Sequence, residues 1–207
     1  MTREDFPQIA GVDEVGRGAL FGPVVAAAVI LSPIATDHLI AEGVKDSKQL
    51  SAKHRAILYE IIKHHATDCR IGWATAREID RINILQASLC AMRRAITHLS
   101  IQPDLCLIDG NRPIPAFALP QRTIIKGDQT EPAIAAASIL AKVWRDRLLM
   151  RLDRRYPGYG LAKNKGYGSH AHRDALQQLG PSGQHRLSFG PCQLSLDLGH
   201  LAQIAKR

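Results

Sequence analysis

The amino-acid sequence predicts an α/β fold in which a mixed β-sheet is flanked by helices and followed by a small C-terminal helical lobe. Three observations lead to this prediction. Two apolar runs near the start are separated by a short glycine-rich segment, as in antiparallel neighbours of a sheet. Further apolar runs then alternate with segments of helical periodicity. From Tyr156 onward the chain is rich in glycine, basic residues and aromatic rings.

The first half of the chain supplies two strands and two helices. Residues 8–15 form the first predicted strand, and residues 24–31 form the second, antiparallel to it. Ser51 can cap a helix that runs to about residue 65, because a serine hydroxyl accepts hydrogen bonds from N–H groups of the first turn. Thr75 and Glu78 form a capping-box pattern, and apolar residues at helical spacing follow to about Leu99.

The second half alternates strands with helices. Short apolar strands over 105–108 and 122–125 lead to Asp109 and Asp128. Pro132 suits the first turn of a long helix over about 133–152. Ser169 can cap a short helix that ends before Gly180. The length of 207 residues favours a single domain, with an α/β core over about 8–152 and a lobe over about 153–207.

The composition argues against several classes of protein. Apolar residues make up 45% of the chain, which is typical of a globular protein and not of a disordered one. No apolar run approaches bilayer length, and the polar, acidic N-terminus lacks the pattern of a signal peptide, so we expect a cytoplasmic protein. Nothing in the sequence demands a dimer, and we expect a monomer.

The cysteines lie far apart in the sequence and include no Cys-x-x-Cys pair, which argues against a zinc site or a redox motif. They are Cys69, Cys90, Cys106 and Cys192.

Four carboxylates stand out in a basic chain of formal net charge +8 and pI about 9.6. Asp13 and Glu14 lie in the first strand, Asp109 follows the third strand, and Asp128 comes soon after the fourth. Strand ends of an α/β sheet converge on one crevice, where carboxylates repel one another unless cations neutralise them. Mg²⁺ and Mn²⁺ prefer such oxygen ligands. The pattern predicts a metal site that acts on a polyanion, and nucleic acid is the leading candidate.

Each of these acids also has a plain structural interpretation. Adjacent strand residues point to opposite faces, so one member of the pair Asp13 and Glu14 can face the surface at a sheet edge. Asp109 before a glycine is a common turn pair, and Asp128 fits a turn as well. Their joint occurrence near strand ends favours the functional interpretation.

Three loops carry groups suited to nucleic acid. Gly16-Arg17-Gly18 lacks the spacing of a dinucleotide loop and precedes a strand, so it is either a plain hairpin turn or a bare backbone that a sugar edge can approach. Residues 45–48 offer cations and a hydroxyl for phosphates, although a solvated loop fits equally. Lys165 and Tyr167 combine a charge for the nucleic-acid backbone with a glycine-flanked ring for a sugar or base.

His170 and His172 do not share a helix face, which argues against a zinc site formed by this pair.

Together these motifs closely resemble the bacterial ribonuclease HII family, the type 2 ribonucleases H. The matching segments span roughly residues 9–191 in the family's order, and they are 11–18, 22–28, 46–51, 82–87, 108–110, 126–128, 135–143, 145–146, 156–160, 165–168, 185–186 and 188–189. Because the match is long and ordered, it is highly specific.

The resemblance implies an RNase H-like fold, cleavage of the RNA strand in RNA–DNA hybrids and nicking at single ribonucleotides embedded in duplex DNA. It also implies roles in DNA replication and repair. The catalytic and metal-binding residues that it implies are Asp13, Glu14, Asp109 and Asp128. The resemblance implies that the loop Gly16, Arg17 and Gly18 senses the 2′-hydroxyl and that Tyr167 packs on the junction sugar. Contacts to the substrate backbone are implied for Asp46, Ser47, Lys48 and Ser138.

Two divalent ions, Mg²⁺ or Mn²⁺, held by these acids would align a water for in-line attack on the phosphate and stabilise the leaving 3′-oxygen. The resemblance implies products with 5′-phosphate and 3′-hydroxyl ends. The 2′-hydroxyl is the group by which a protein distinguishes RNA from DNA. The main alternative is a non-catalytic binder of hybrid duplexes, which would need the basic loops but not the four acids. A nuclease or transposase-like enzyme with the same fold is a further alternative, against which the Gly-Arg-Gly loop and Tyr167 argue.

Overall fold

The computed structural model describes residues 6–44 and 50–193 and contains a five-stranded mixed sheet. Its strands are β1 (Ile9–Val15), β2 (Val24–Ile30), β3 (Asp68–Ala74), β4 (Leu105–Asp109) and β5 (Gln121–Ile124). The spatial order is β3-β2-β1-β4-β5. Strand β1 pairs antiparallel with β2 and parallel with β4, and β4 pairs parallel with β5, which confirms the predicted mixed sheet.

The helices in the described ranges are α1 (Pro33–Ala41), α2 (Ala52–His65), α3 (Ala76–Thr97), α4 (Gly127–Thr130), α5 (Pro132–Arg155), α6 (Leu161–Asn164) and α7 (His170–Leu179). The predicted caps are confirmed. The Ser51 hydroxyl accepts from the N–H of the residue three positions later at 3.1 Å, and the Ser169 hydroxyl does so at 3.3 Å. Glu78 accepts from the Thr75 N–H at 2.8 Å and donates its own N–H to the Thr75 hydroxyl at 3.3 Å.

Four elements were absent from the sequence-based prediction, namely α1, β3 and the one-turn helices α4 and α6. Helix α1 begins after Ser32, whose hydroxyl accepts from the Ala35 N–H at 3.1 Å, so a cap followed by Pro33 was the available signal. Strand β3 has a charged residue and a glycine in its interior, and neither favours a strand. Gly72 is required there, because a Cβ would lie 2.3 Å from the Ala91 carbonyl oxygen of α3.

The chain folds as two compact units. The described residues of the first unit fall within 1–15, 25–73 and 88–144, and those of the second fall within 16–24, 74–87 and 145–207. The sequence-based division into a core over about 8–152 and a lobe over about 153–207 stays a prediction. In the described part of the chain, no helix combines the length and apolar character needed to cross a membrane.

In the first unit, α5 lies directly on the sheet. A Cβ at Gly11 of β1 would lie 2.2 Å from the Ala133 carbonyl carbon, so only glycine allows this approach. The following alanines of α5 are buried, together with Ser138. Residues of β2, α1, α2 and α5 form one apolar cluster, of which the fully buried aliphatic members include Val25, Val29, Leu39, Leu58, Ile62 and Ile139. This packing fixes the position of Ser138 relative to β1.

The second unit has its own core. Phe21, Leu149, Leu161 and Leu176 pack together there, and all four are nearly inaccessible to solvent. Helix α3 is interrupted within this unit at Asn83, whose φ of 65° and ψ of 167° are not helical. The interruption is stabilised because the Asn83 side-chain oxygen accepts from the N–H of the residue three positions later at 3.1 Å, as an N-cap does.

Candidate active site

Parallel pairing of β1 with β4 brings two of the predicted acids together. The register aligns Val12 with Ile108, so the next residues on the two strands, Asp13 and Asp109, are neighbours at the carboxyl ends. Asp13 is buried, with 5% of its surface exposed, and Asp109 is half-buried at the last position of β4. The sequence-based prediction that strand ends gather these acids is correct for this pair.

Asp128 reaches the same region by a different route from the one predicted. Strand β5 ends at Ile124, and Asp128 lies in the one-turn helix α4 and not at a strand end. The Gly127 N–H donates to Asp109 Oδ1 at 2.8 Å, so α4 is attached to the end of β4 through an acid of the site. A Cβ at Gly127 would lie 2.5 Å from Ile134 Cδ1, which explains the glycine. Asp128 is 3% exposed.

Burial and neighbouring charges act on Asp13. Burial raises the pKa of the Asp13 carboxyl well above its usual value, and the charges of Glu14 and Asp109 raise it further. A hydrogen bond with Ser138 and the Glu14 N–H, 2.7 Å from Asp13 Oδ1, act in the opposite direction. Three acids therefore interact electrostatically, and a cation among them would relieve their repulsion.

The carboxylates do not form a ready-made metal cage. Within residues 6–44 and 50–193, no three His, Cys, Asp or Glu side chains are grouped so that they could hold a metal ion. The donor set is nevertheless the one that Mg²⁺ and Mn²⁺ prefer, because it consists of carboxylate oxygens, and the Asp13 carboxyl resists ionisation without a counter-charge. The chemistry of the residues present fits a hard divalent ion.

Ser138 was predicted to contact the substrate backbone. The structure places it on α5 with 7% of its surface exposed and hydrogen-bonded to the Asp13 carboxyl. A hydroxyl that donates to a carboxylate stabilises the ionised form and limits its rotation. The observed contact of Ser138 is therefore with a predicted catalytic acid.

The loop over residues 16–23 belongs to the second unit and is more than a hairpin turn. The guanidinium of Arg186 donates to three of its carbonyl oxygens, those of Gly16, Arg17 and Gly22, at 2.7, 2.7 and 3.0 Å. Gly16 has a φ of 89°, a region that favours glycine. A Cβ added at Gly18 would meet no atom within 4 Å, so this part of the backbone is open to an approaching molecule.

Arg145 stabilises the same loop from α5. Its guanidinium donates to the carbonyl oxygens of Phe21 and Pro23, each at 3.0 Å, and of Lys165 at 2.8 Å. Arg145 and Arg186 are both 0% exposed. Burial and, second, the charge of Arg145 together lower the pKa of Arg186 to about 9. Two buried cations therefore determine the conformation of the loop.

The loop that carries Lys165 and Tyr167 is paired with residues 19–21. Tyr167 forms an isolated antiparallel bridge with Ala19, and the Leu20 N–H donates to the Gly166 carbonyl at 2.8 Å. The Tyr167 side chain is 36% exposed, and its ring centroid lies 5.5 Å from the Arg145 guanidinium carbon. Lys165 is half-buried, and its ammonium group donates a hydrogen bond to the Ala162 carbonyl oxygen. The predicted substrate groups of this unit are thus neighbours in the structure.

Sequence reasoning missed several residues that support this region. Arg145 and Arg186 lie in matched motifs, but single arginines resemble surface residues until their partners are known. Asp80 of α3 accepts from the N–H groups of Leu187 and Ser188 at 3.0 and 2.8 Å. Three further predicted residues, Asp46, Ser47 and Lys48, lie outside the described residues.

Comparison with known proteins identifies the family of this chain. The family model described as Ribonuclease HII matches residues 10–192. The chain is 67% identical over 189 residues to a ribonuclease HII from Acaryochloris marina, covering 91% of this chain and 96% of that protein. It is 60% identical to a ribonuclease HII from Trichodesmium erythraeum, covering 90% of this chain and 89% of that protein.

A solved structure shows the same fold. The crystal structure of ribonuclease H2 from Pyrococcus horikoshii matches with a TM-score of 0.77 at 26% identity and covers 92% of this chain and 97% of that one. These matches extend over both described units and favour the enzyme over the non-catalytic binder. The chain therefore belongs to the ribonuclease HII family and is an endoribonuclease of the ribonuclease H type, which acts on RNA–DNA hybrids.

Proposed function

We propose that this enzyme, besides cleaving RNA in hybrids, nicks duplex DNA at single embedded ribonucleotides with the help of two divalent metal ions. The observation that carries the proposal is the electrostatic coupling of Asp13 with Glu14 and Asp109 at the carboxyl ends of β1 and β4. A buried acid whose pKa is raised by burial and by neighbouring acids is typical of a functional site.

The metal ligands in this proposal are Asp13, Glu14, Asp109 and Asp128. Mg²⁺ or Mn²⁺ held by these residues would supply a water of lowered pKa and positive charge that stabilises the leaving oxygen. Family resemblance assigns 5′-phosphate and 3′-hydroxyl ends to the products. The protein's contribution is to keep the acids oriented. Ser138 and the Glu14 N–H bind the Asp13 carboxyl, and the Gly127 N–H binds that of Asp109.

Recognition of the ribonucleotide is assigned to the second unit. The backbone of Gly16, Arg17 and Gly18 is proposed to contact the 2′-hydroxyl, since it is fixed by Arg186 and open at Gly18. The exposed ring of Tyr167 is proposed to pack on the sugar at the ribose–deoxyribose junction.

Contacts to the DNA backbone complete the proposal. They are assigned to Lys165 from its charge and, by family resemblance, to Asp46, Ser47 and Lys48. The cytoplasmic location, the monomeric state and the roles in DNA replication and repair stay predictions.

Three duplexes of one sequence test the proposal: one with a single ribonucleotide, one RNA–DNA hybrid and one all-DNA duplex. We expect Mg²⁺ or Mn²⁺ to support nicking of the first two and no cleavage of the third. The products should be extendable by a polymerase, as 3′-hydroxyl ends are. Asp109→Asn serves as the inactive control, because asparagine retains an oxygen that can accept from the Gly127 N–H. Cleavage of the hybrid without cleavage of the single-ribonucleotide duplex would contradict the proposed specificity.

A further inference from the structure

Two buried histidines of the second unit have no role in the function proposed so far. His172 lies in α7 with 0% of its surface exposed, and His185 lies in the following loop with 2% exposed. Their Nε2 atoms are 3.2 Å apart, a hydrogen-bond distance. We call these two residues the histidine pair. Such a contact requires that one nitrogen donates and the other accepts.

The neighbouring groups determine which nitrogen donates. His185 Nδ1 lies 2.9 Å from both the backbone nitrogen and the hydroxyl oxygen of Ser182. Because the backbone N–H can only donate, His185 Nδ1 accepts and carries no proton. A neutral His185 then has its proton on Nε2, which donates to His172 Nε2. The proton of His172 is consequently on Nδ1, which lies 3.0 Å from the Tyr167 carbonyl oxygen and donates to it. One hydrogen-bond chain therefore runs from Ser182 through the histidine pair to Tyr167.

The surroundings keep both rings neutral. The ring of Tyr159 lies 4.7 Å from that of His185 and 6.1 Å from that of His172, and the ring of Phe21 lies 4.9 Å from that of His185. The Tyr159 hydroxyl donates to the Gly180 carbonyl at 2.7 Å, away from the pair. Arg186, next to His185 in the chain, directs its guanidinium to carbonyls of the loop over 16–22. Burial lowers the pKa of both histidines, that of His185 to about 4.

The carbonyl of Tyr167 is where this chain ends. It accepts from His172 and from the Ser169 N–H at 2.8 Å. The flanking Gly166 and Gly168 have no side chains to restrict the backbone, and Gly166 has a φ of 80°. A fixed carbonyl limits rotation of the Tyr167 peptide and so restricts the direction in which its ring leaves the loop.

We propose that His172 and His185 are positioning residues for Tyr167, whose carbonyl they fix through a chain of neutral hydrogen bonds so that its ring is oriented for the ribose–deoxyribose junction. This inference rests on the proposed role of Tyr167 in junction recognition. Neither histidine touches the substrate in this account. A proton added to the pair would set two donors against each other, either at the paired Nε2 atoms or between His185 Nδ1 and the Ser182 N–H.

Variants of His172 provide the test. His172→Leu removes the donor to Tyr167, whereas His172→Asn places an amide N–H near the position of Nδ1 and preserves it. His170→Leu is the matched control, because His170 is on the same helix and exposed. The readout is the ratio of kcat/KM for the single-ribonucleotide duplex to that for the RNA–DNA hybrid, in which effects shared by the two reactions cancel.

We expect His172→Leu to lower this ratio about tenfold and His170→Leu to leave it unchanged. His172→Asn keeps the donor to Tyr167 but loses the contact with His185, so it should lower the ratio less than His172→Leu does. A wild-type ratio in folded His172→Leu would overturn the inference. If His172→Leu does not fold, His185→Asn replaces it, since it interrupts the chain one residue earlier and should lower the ratio as well. An unchanged ratio there would also overturn it.

Tyr167→Ala separates this inference from the proposed function. If Tyr167→Ala lowers the ratio and the histidine variants do not, the positioning role is wrong and the junction role stands. If Tyr167→Ala itself leaves the ratio unchanged, the proposed role of Tyr167 has failed and the positioning inference fails with it.

Discussion

The guanidinium of Arg186 donates a hydrogen bond of 2.7 Å to the carbonyl oxygen of Gly16. The two residues are far apart in sequence, and this bond joins the C-terminal part of the second unit to the loop over residues 16–23. Arg186 is fully buried, and its hydrogen bonds go to backbone carbonyls, with the charge of Asp80 close enough to favour its protonated form. Carbonyl dipoles and one carboxylate thus stabilise a buried cation, which in turn orders the loop.

Arg186→Lys should destabilise the protein. A lysine ammonium cannot reproduce the planar fork that reaches Gly16, Arg17 and Gly22, so carbonyls lose their donors in a buried position. We expect a decrease of about 3 kcal/mol in the free energy of unfolding, measured with urea. Arg151→Lys, the same change at an exposed site of α5, is the control and should have little effect. Equal stability of the two variants would contradict the role given to Arg186.

Asp13→Asn should make the metal-free protein more stable while abolishing cleavage. Asparagine removes a carboxylate whose ionised form is disfavoured by burial, Glu14 and Asp109, and it retains an oxygen that can accept from Ser138. We expect a gain on the order of 1 kcal/mol in the free energy of unfolding in EDTA. A less stable variant would show that the Asp13 carboxylate stabilises the fold.

Mn²⁺ should raise the melting temperature of the wild-type protein, because an ion that binds only the folded state stabilises it. At about 100 times the dissociation constant the gain is about 2.7 kcal/mol. Asp109→Asn should show a much smaller rise, since it removes one predicted ligand. Asp37→Asn, at an exposed site of α1, should behave as wild type. A rise of wild-type size in Asp109→Asn would place the ion elsewhere.

The histidine pair should make the fold sensitive to acid. The pKa of His185 is lowered to about 4 in the folded protein from an ordinary value of 6.5. Between these two pH values the unfolded chain binds a proton that the folded protein does not bind. The contribution of neutral His185 to the free energy of unfolding is therefore complete above about pH 6.5 and is lost as the pH falls towards about 4. The loss is at most roughly 3 kcal/mol. The melting temperature should fall less between pH 6.5 and 4 for His185→Asn than for wild type. Equal decreases for the two proteins would contradict the role given to His185.

Lys165→Ala should weaken binding about equally for hybrid, single-ribonucleotide and all-DNA duplexes. A phosphate contact does not distinguish ribose from deoxyribose. Its loss should reduce the slope of the logarithm of the binding constant against the logarithm of the salt concentration by about one. Filter binding at several salt concentrations measures both effects. Lys53→Ala, at an exposed site of α2, is the control for a general change in charge. A loss confined to ribose-containing duplexes would show that Lys165 reads the sugar.

Local signals explain why much of the fold was predictable from the sequence. The caps at Ser51, Thr75 and Ser169 depend on residues three positions away, and the strand hairpin depends on apolar runs separated by a few residues. The four acids could be selected because each follows or lies within an apolar run in a basic chain. The family could be recognised because its motifs occur in order.

Long-range contacts decided the rest. Asp13 and Asp109 become neighbours only because β1 pairs in parallel with a strand that begins at Leu105, and no local pattern specifies that register. Asp128 joins them on a helical turn whose Gly127 N–H donates to the Asp109 carboxylate, whereas the sequence predicted that a strand would place Asp128 there.

The buried arginines and the histidine pair illustrate the same limit. The sequence alone does not reveal the hydrogen-bond partners of Arg145, Arg186, His172 and His185, although three of them lie in segments that match the family. Their roles are defined by carbonyl and ring partners that only the folded chain brings within hydrogen-bond distance. The sequence by itself determined the family, the candidate acids and most helices and strands, because these depend on residue type and short spacing. The tertiary structure decided which atoms donate to which, because a buried polar group is defined by its partners.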